Sequence, residues 1–98
     1  MDYSEFTKLA GLEISFLYDK IESMVTDGDL DLINDVLYIS TAKGDYVINQ
    51  HSPTQQIWLS SPISSAGYFN YDFDRKEWID KMGVSIRERL SLDLGVLI

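Results

Sequence analysis

The hydrophobic repeat of this chain changes once, and that change restricts the possible folds more than any other feature. From Tyr3 to about Val25, apolar residues recur at three- and four-residue spacing as Phe6, Leu9, Ala10, Ile14, Leu17, Ile21 and Met24. Such spacing draws one apolar stripe down an amphipathic helix. Asp2 and Glu5 predict its start, because acids cap the free N–H groups and suit the positive helix end. Asp27-Gly28 predicts its end, and Gly11 inside it costs about 1 kcal/mol relative to alanine. From Asp29 onward the period is two. Asp29-Leu30-Asp31-Leu32 alternates acids with leucines, which predicts a strand with its leucines inward and its acids outward. Further strands are predicted over Val36 to Thr41, Asp45 to Asn49, Gln55 to Ser61, Tyr68 to Phe73 and Lys76 to Ile79. Asn34-Asp35, Lys43-Gly44, Pro53 and the Pro62 to Gly67 loop separate them. Connections this short imply an antiparallel meander. Ser85 and Glu88 then form a capping-box pattern, and Ile86, Leu90 and Leu94 give a second apolar stripe.

Helices at both ends of a run of strands cover one sheet face and leave the other wet. The expected fold class is therefore α+β: a two-layer sandwich in which an antiparallel sheet of five to six strands carries the N- and C-terminal helices on one face. Its 98 residues suffice for one domain spanning the whole chain, 1–98.

Composition excludes several functions. The chain has no cysteine, so disulfides, thiolate nucleophiles and a self-held iron–sulfur cluster are ruled out. One histidine supplies no structural zinc set. Any metal must be met by oxygen ligands. A net charge of −8 excludes nucleic acid and favours cations or a basic protein surface. No apolar run approaches the roughly 18–20 residues needed to span a bilayer, so no membrane partner is expected. Asp2 and Glu5 stand where a secretory or transit signal would place basic residues, so no such signal is read. The glycines are scattered singly and build no phosphate-cradling loop, and no Ser-His-Asp set is present. His51 is read as a solvated loop residue without a catalytic part.

Gln56-Ile57-Trp58-Leu59-Ser60 is the stretch most informative about function. If Ile57 and Leu59 face the helices, alternation turns Trp58 outward, since a one-residue slip would bury Gln56 and Ser60. The same rule sends Asn49, Tyr68 and Asn70 outward while Phe69 and Tyr71 go in. The wet face is expected to present Asn49, Gln56, Trp58 and Tyr68 together. Aromatics among amides suit an interface, because Trp offers large area at low entropy loss. The alternative is that Trp58 packs locally under the Pro62 loop.

Acids gather on a different surface. Asp19 and Glu22 lie opposite the apolar stripe of the first helix. Asp29 and Asp31 project from the first strand, with Asp27 and Asp35 flanking it. A helix running beside that strand would join them into one negative edge. Like charges this close repel, so a bound cation relieves them, and carboxylates suit hard or borderline cations weakly and with little selectivity. The competing reading is an ordinary solvated face, diluted by Lys8 and Lys20.

These residues resemble a known family. Tyr46-Val47-Ile48-Asn49, Pro53 and Gln56-Ile57-Trp58-Leu59-Ser60-Ser61-Pro62 closely resemble the central signature of frataxins. Ser4-Glu5-Phe6 with Leu9-Ala10 resembles the opening of bacterial members, and Gly83-Val84-Ser85 the entry to their last helix. The resemblance runs through nearly the whole chain in order. It implies an iron-binding protein of iron–sulfur cluster assembly, acting as iron chaperone and as regulator of a cysteine desulfurase and scaffold complex. It implies weakly bound iron, Fe(II) or Fe(III), on an acidic ridge of Asp19, Glu22, Asp29 and Asp31 that also docks a basic desulfurase surface. Asn49, Gln56 and Trp58 would then meet the scaffold protein. The alternatives are a ferroxidase or iron-storage protein oxidising Fe(II), and an acidic adaptor without a metal. The role expected is mainly non-enzymatic, with weak ferroxidase activity as an addition. A monomer is expected, with iron-dependent oligomers as the alternative. The compartment implied is a mitochondrion or mitochondrion-derived organelle, the alternative being a bacterial cytoplasm. The chain departs from the family pattern at Gln50, where many members carry Lys or Arg, and at His51, where many carry Gln.

Overall fold

The Asp2 carboxylate accepts a hydrogen bond from the Glu5 N–H at 2.8 Å, and helix α1 (Tyr3–Met24) starts from that cap. In this computed structural model, which describes residues 1–98, six strands follow. They are β1 (Asp29–Ile33), β2 (Val36–Thr41), β3 (Gly44–His51), β4 (Gln56–Ser61), β5 (Ser65–Asp72) and β6 (Glu77–Ile79). Helix α2 (Ile86–Leu94) starts where the Ser85 hydroxyl accepts from the Glu88 N–H at 3.1 Å. It ends at Gly95 in the left-handed conformation that glycine best supplies.

The strands pair antiparallel in chain order, β1-β2-β3-β4-β5-β6, as the short connections require. Asn34 and Asp35, with φ of 52° and 64°, make the two-residue turn whose twist matches a hairpin. Gly44 opens β3 at φ +130°, where a side chain would strike the Pro62 ring at 2.6 Å. The inner face carries Leu37, Ile39, Tyr46, Ile48, Ile57, Leu59 and Phe69, all buried. They meet Phe6, Ala10, Ile14, Leu17 and Ile21 of α1 and Ile86 and Leu90 of α2 in one core. Trp78 closes the far end, with Phe6 and Tyr71 edge-on to it at 5.9 and 5.4 Å between ring centroids.

Several boundaries differ from those read in the sequence. β3 runs on through His51, which pairs with Gln56. β5 begins at Ser65, because Ser61 and Ser65 form a cross-strand pair inside what reads as a loop. On β1, Leu30 and Leu32 share the inner face with Ile39 and Leu37, yet Leu32 is 40% exposed and Leu30 only half-buried. β1 is the edge strand, so the core ends before it is fully covered.

One buried charge escaped the pattern. Glu13 is only 7% exposed, and its carboxylate accepts two hydrogen bonds of 2.9 Å from the Arg87 guanidinium on α2. Arg87 also lies 3.9 Å over the Phe16 ring. The fork joins the two helices across 74 residues of chain. Arg87 is held in its charged form above the ordinary range by the Glu13 hydrogen bond, against the opposing effect of its partial burial. Removing one partner leaves the other charge without compensation. Arg87→Met is therefore expected to destabilise by about 2–3 kcal/mol, discounted from the fully buried case because the arginine is partly solvated. Glu13→Gln combined with Arg87→Met should recover most of that loss in urea denaturation. A double variant no more stable than Arg87→Met would contradict this account.

Candidate functional site

The outer sheet face is built by cross-strand register. Asn49 on β3 stands opposite Trp58 on β4, and Trp58 opposite Tyr68 on β5. These three residues form one row across the middle of the sheet, turned away from both helices. Gln56 joins it sideways: the Trp58 Nε1–H donates to Gln56 Oε1 at 2.9 Å, and Gln56 Nε2 donates to Asn70 Oδ1 at 3.4 Å. Asn49, Gln56, Trp58 and Tyr68 thus come together as the alternation required.

Trp58 is not fully open, however. His51 stacks on its ring face at 3.6 Å with planes 11° apart, and Tyr68 stands edge-on at 5.3 Å. The His51 ring is steadied by a 2.8 Å hydrogen bond between Nδ1 and Thr54 Oγ1. The cover over Trp58 is therefore His51 and Tyr68, not the Pro62 loop. His51 was missed because Pro53, two residues later, reads as a loop. Its pairing with Gln56, diagonal to Trp58, is the signal that would have placed it on the outer face.

The acids are spread over α1, β1 and the turns beside β1. Asp19 and Glu22 are exposed on α1, and Asp31 is exposed on β1. All three act on the Tyr18 hydroxyl. Its pKa is raised, first by hydrogen bonding to the Glu22 carboxylate and by that group's charge, then by desolvation and by the charges of Asp19 and Asp31. Tyr18 thus marks a shared negative field between helix and edge strand. Asp27 lies in the link from α1 to β1, Asp29 opposite Ser40, and Asp35 in the β1–β2 turn. All are exposed. No three His, Cys, Asp or Glu side chains converge closely enough to hold a metal ion among them. The acidic edge is an electrostatic surface without a preformed chelating cage.

A third polar cluster serves the fold. Asp93 Oδ2 on α2 accepts from the Ser61 hydroxyl at 2.8 Å and from the Ser64 hydroxyl, while Ser61 Oγ accepts the Ile63 and Ser64 N–H groups. The Tyr46 hydroxyl donates to the Asp93 carbonyl at 3.3 Å. Burial, followed by the Asp93 charge, raises the Tyr46 pKa. Ser61 of the Trp58 stretch is thereby explained by the turn it anchors.

The chain is thus a two-layer α+β sandwich with an aromatic and amide row on its uncovered face and a negative edge beside it. The model of the frataxin-like domain matches residues 1–97. The chain belongs to the frataxin family. It is 41% identical over 91 residues to the mitochondrial frataxin of Arabidopsis thaliana, covering 81% of this chain and 49% of that one. It is 34% identical over 80 residues to the mitochondrial frataxin homolog of Schizosaccharomyces pombe, covering 76% and 51%. The chain therefore spans about half the length of these relatives. Among solved structures, the frataxin of Psychromonas ingrahamii superposes with a TM-score of 0.84 at 27% identity, covering 96% of this chain and 89% of that one. A trimeric frataxin from Saccharomyces cerevisiae, complexed with ferrous iron, gives 0.78 at 30% identity, covering 89% and 82%.

Two measurements check this geometry. Trp58→Ala should destabilise by about 1–2 kcal/mol, the worth of two aromatic contacts, and stay below the roughly 3–5 kcal/mol of a core aromatic. A loss in the core range by urea denaturation would contradict the outward register. Spectrophotometric titration should place Tyr18 among the late-ionising tyrosines, and Glu22→Gln should bring its ionisation down towards the ordinary value. An unchanged Tyr18 titration in that variant would remove Glu22 from the edge.

Proposed function

We propose that this chain works in iron–sulfur cluster assembly as an iron-carrying, regulatory binding protein. In this reading it docks on a cysteine desulfurase and its scaffold protein and promotes sulfur transfer. The observation that carries it is the row Asn49, Trp58 and Tyr68 on a sheet face that neither helix covers. Three side chains with so little part in the core are available for a partner. The ferrous complex of the yeast relative supports iron as the cargo. The exposed carboxylates of Asp19, Glu22, Asp27, Asp29, Asp31 and Asp35 would carry it loosely, since each keeps its contact with water. Asp19, Glu22, Asp29 and Asp31 would also meet the basic desulfurase surface. The mitochondrial relatives support a mitochondrion or a derived organelle as the place of action, and the bacterial neighbour supports a cytoplasmic alternative.

The two surfaces act over different ranges. Attraction between exposed charges fades over the ~8 Å screening length of physiological salt, whereas burial of an aromatic does not. Trp58→Ala should reduce desulfurase stimulation at least tenfold at every ionic strength, the effect of losing about 1.4 kcal/mol of docking energy. The joint variant Asp19→Asn, Glu22→Gln, Asp29→Asn and Asp31→Asn should lose most at low salt, chiefly through a slower on-rate. Desulfurase stimulation measured for both across a salt series tests this. Normal stimulation by the Trp58 variant throughout would remove the outer face as the interface.

A further inference from the structure

Strand β5 is eight residues long, but its outer edge is only partly covered. β6 pairs with it at Asn70, Tyr71 and Asp72 alone, and at Asp80 the chain leaves the sheet towards α2. From Ser65 to Phe69, β5 has a partner on the β4 side only. Arg89 of α2 shows which backbone groups face the open side. Its Nη2 donates to the Ser64 carbonyl at 2.7 Å and the Ala66 carbonyl at 3.3 Å, and its Nε to the Ser64 hydroxyl at 2.6 Å. Strand groups repeat with period two, so the N–H of Ala66 and both backbone groups of Tyr68 turn the same way. None of the backbone hydrogen bonds made outside helices and strands involves Ala66 or Tyr68.

A groove of about 580 Å³ runs along this edge, lined by Trp58, Ala66, Tyr68, Lys81, Met82 and Arg89 among others. Its charge is opposite to that of the molecule. The net charge is −8, yet neither Lys81 nor Arg89 has a carboxylate within ion-pair distance. The one acid in the groove, Asp80, is spent on its own turn, accepting from the Met82 and Val84 N–H groups at 2.8 and 3.0 Å.

We propose that the open edge of β5 takes an extended acidic peptide segment of a partner protein as an added strand, continuing β6 antiparallel to β5. Main-chain bonds to Tyr68 and Ala66 hold the segment, as strand addition requires. In that direction its C-terminal end arrives at Arg89, so a carboxylate there meets Arg89 and Lys81 with charge-assisted hydrogen bonds. An apolar side chain on the sheet side meets Tyr68 and Met82. A second copy of this chain is a poor occupant, because it brings its own excess of negative charge. The groove shares Trp58 and Tyr68 with the outer face, but the backbone edge of β5 is distinct from that side-chain row, and peptide binding is measured with no other partner present.

The test is binding of the acetylated pentapeptide Thr-Val-Thr-Val-Glu with a free C-terminus, followed by amide shifts and amide hydrogen exchange on the whole chain. The peptide is expected to bind and to slow exchange at Ala66 and Tyr68, while its uncharged version ending in glutamine amide binds at least about tenfold more weakly. Tyr68→Pro removes the donor at an edge position where proline is tolerated, and should weaken binding about tenfold more than Tyr68→Ala, which keeps it. Lys81→Glu, on an exposed side chain, should weaken binding with the fold untouched. Equal binding of the two peptides, protection absent from Ala66 and Tyr68, or no binding at millimolar peptide each overturns the proposal. So does a dimer in light scattering that buries this edge.

Discussion

One face of the sheet is sealed by α1 and α2, and the register of every strand follows from that one-sided cover. Ile57 and Leu59 are buried beneath the helices, as are Leu37, Ile39, Tyr46 and Ile48 on the neighbouring strands. A one-residue slip in β4 would turn Gln56 and Ser60 into an apolar interior without partners, at a cost of about 1–3 kcal/mol for each polar group. The same slip would expose Ile57 and Leu59. Both penalties act against the slip and together fix which way Trp58 points. The outer row inherits a defined geometry while contributing little to the core, which is the condition for a surface to be shaped by recognition.

The helices that seal the sheet are themselves held by polar locks at its margin. Glu13 and Arg87 join α1 to α2, and Asp93 joins α2 to the Ser61 turn. Apolar packing is weakly directional, and two helices lying on one sheet could slide along it. A bidentate guanidinium–carboxylate fork tolerates little displacement, so it sets their relative placement. Ser61 and Ser64 do the same for the end of β4, fixing where the outer row stops.

Local periodicity made much of this legible. The 3.6-residue stripe gave α1, and alternation gave the direction of Trp58, Asn49 and Tyr68. What the sequence hid were contacts whose partner lies far along the chain or inside turn-like composition. Glu13 sits beside the apolar stripe and reads as a surface acid until Arg87 is placed over it. His51 carries no pattern of its own, and only the β3–β4 ladder sets it against Trp58. Ser65 and Gly67 have turn chemistry yet belong to β5, because strand pairing with Ser61 and Leu59 outweighs local preference. The acids were visible as residues, but their grouping was not. Sequence spacing could not show that Asp19 and Glu22 of the helix and Asp31 of the edge strand all act on the Tyr18 hydroxyl.

Strand order gives these surfaces a polarity along the molecule. The sheet runs from β1 to β6 without a crossover, so the chain's own order becomes position across the sheet. Residues 1–49 hold ten acids against three bases, whereas residues 50–98 hold six acids against five. Nearly all of the net negative charge therefore belongs to α1 and the strands at the β1 end, and the bases collect towards β6 and α2. A basic surface approaching such a molecule is oriented before contact, because the field points one way across the sheet. Charge alone is poor glue for an exposed, salt-screened edge. The row around Trp58 lies between the two poles. Concentrating acids at the β1 edge carries a repulsive cost, and β1 is the strand whose leucines are least covered. The electrostatic burden thus falls on the edge of the sheet farthest from the Trp78 end of the core, where local loosening disturbs the outer row least.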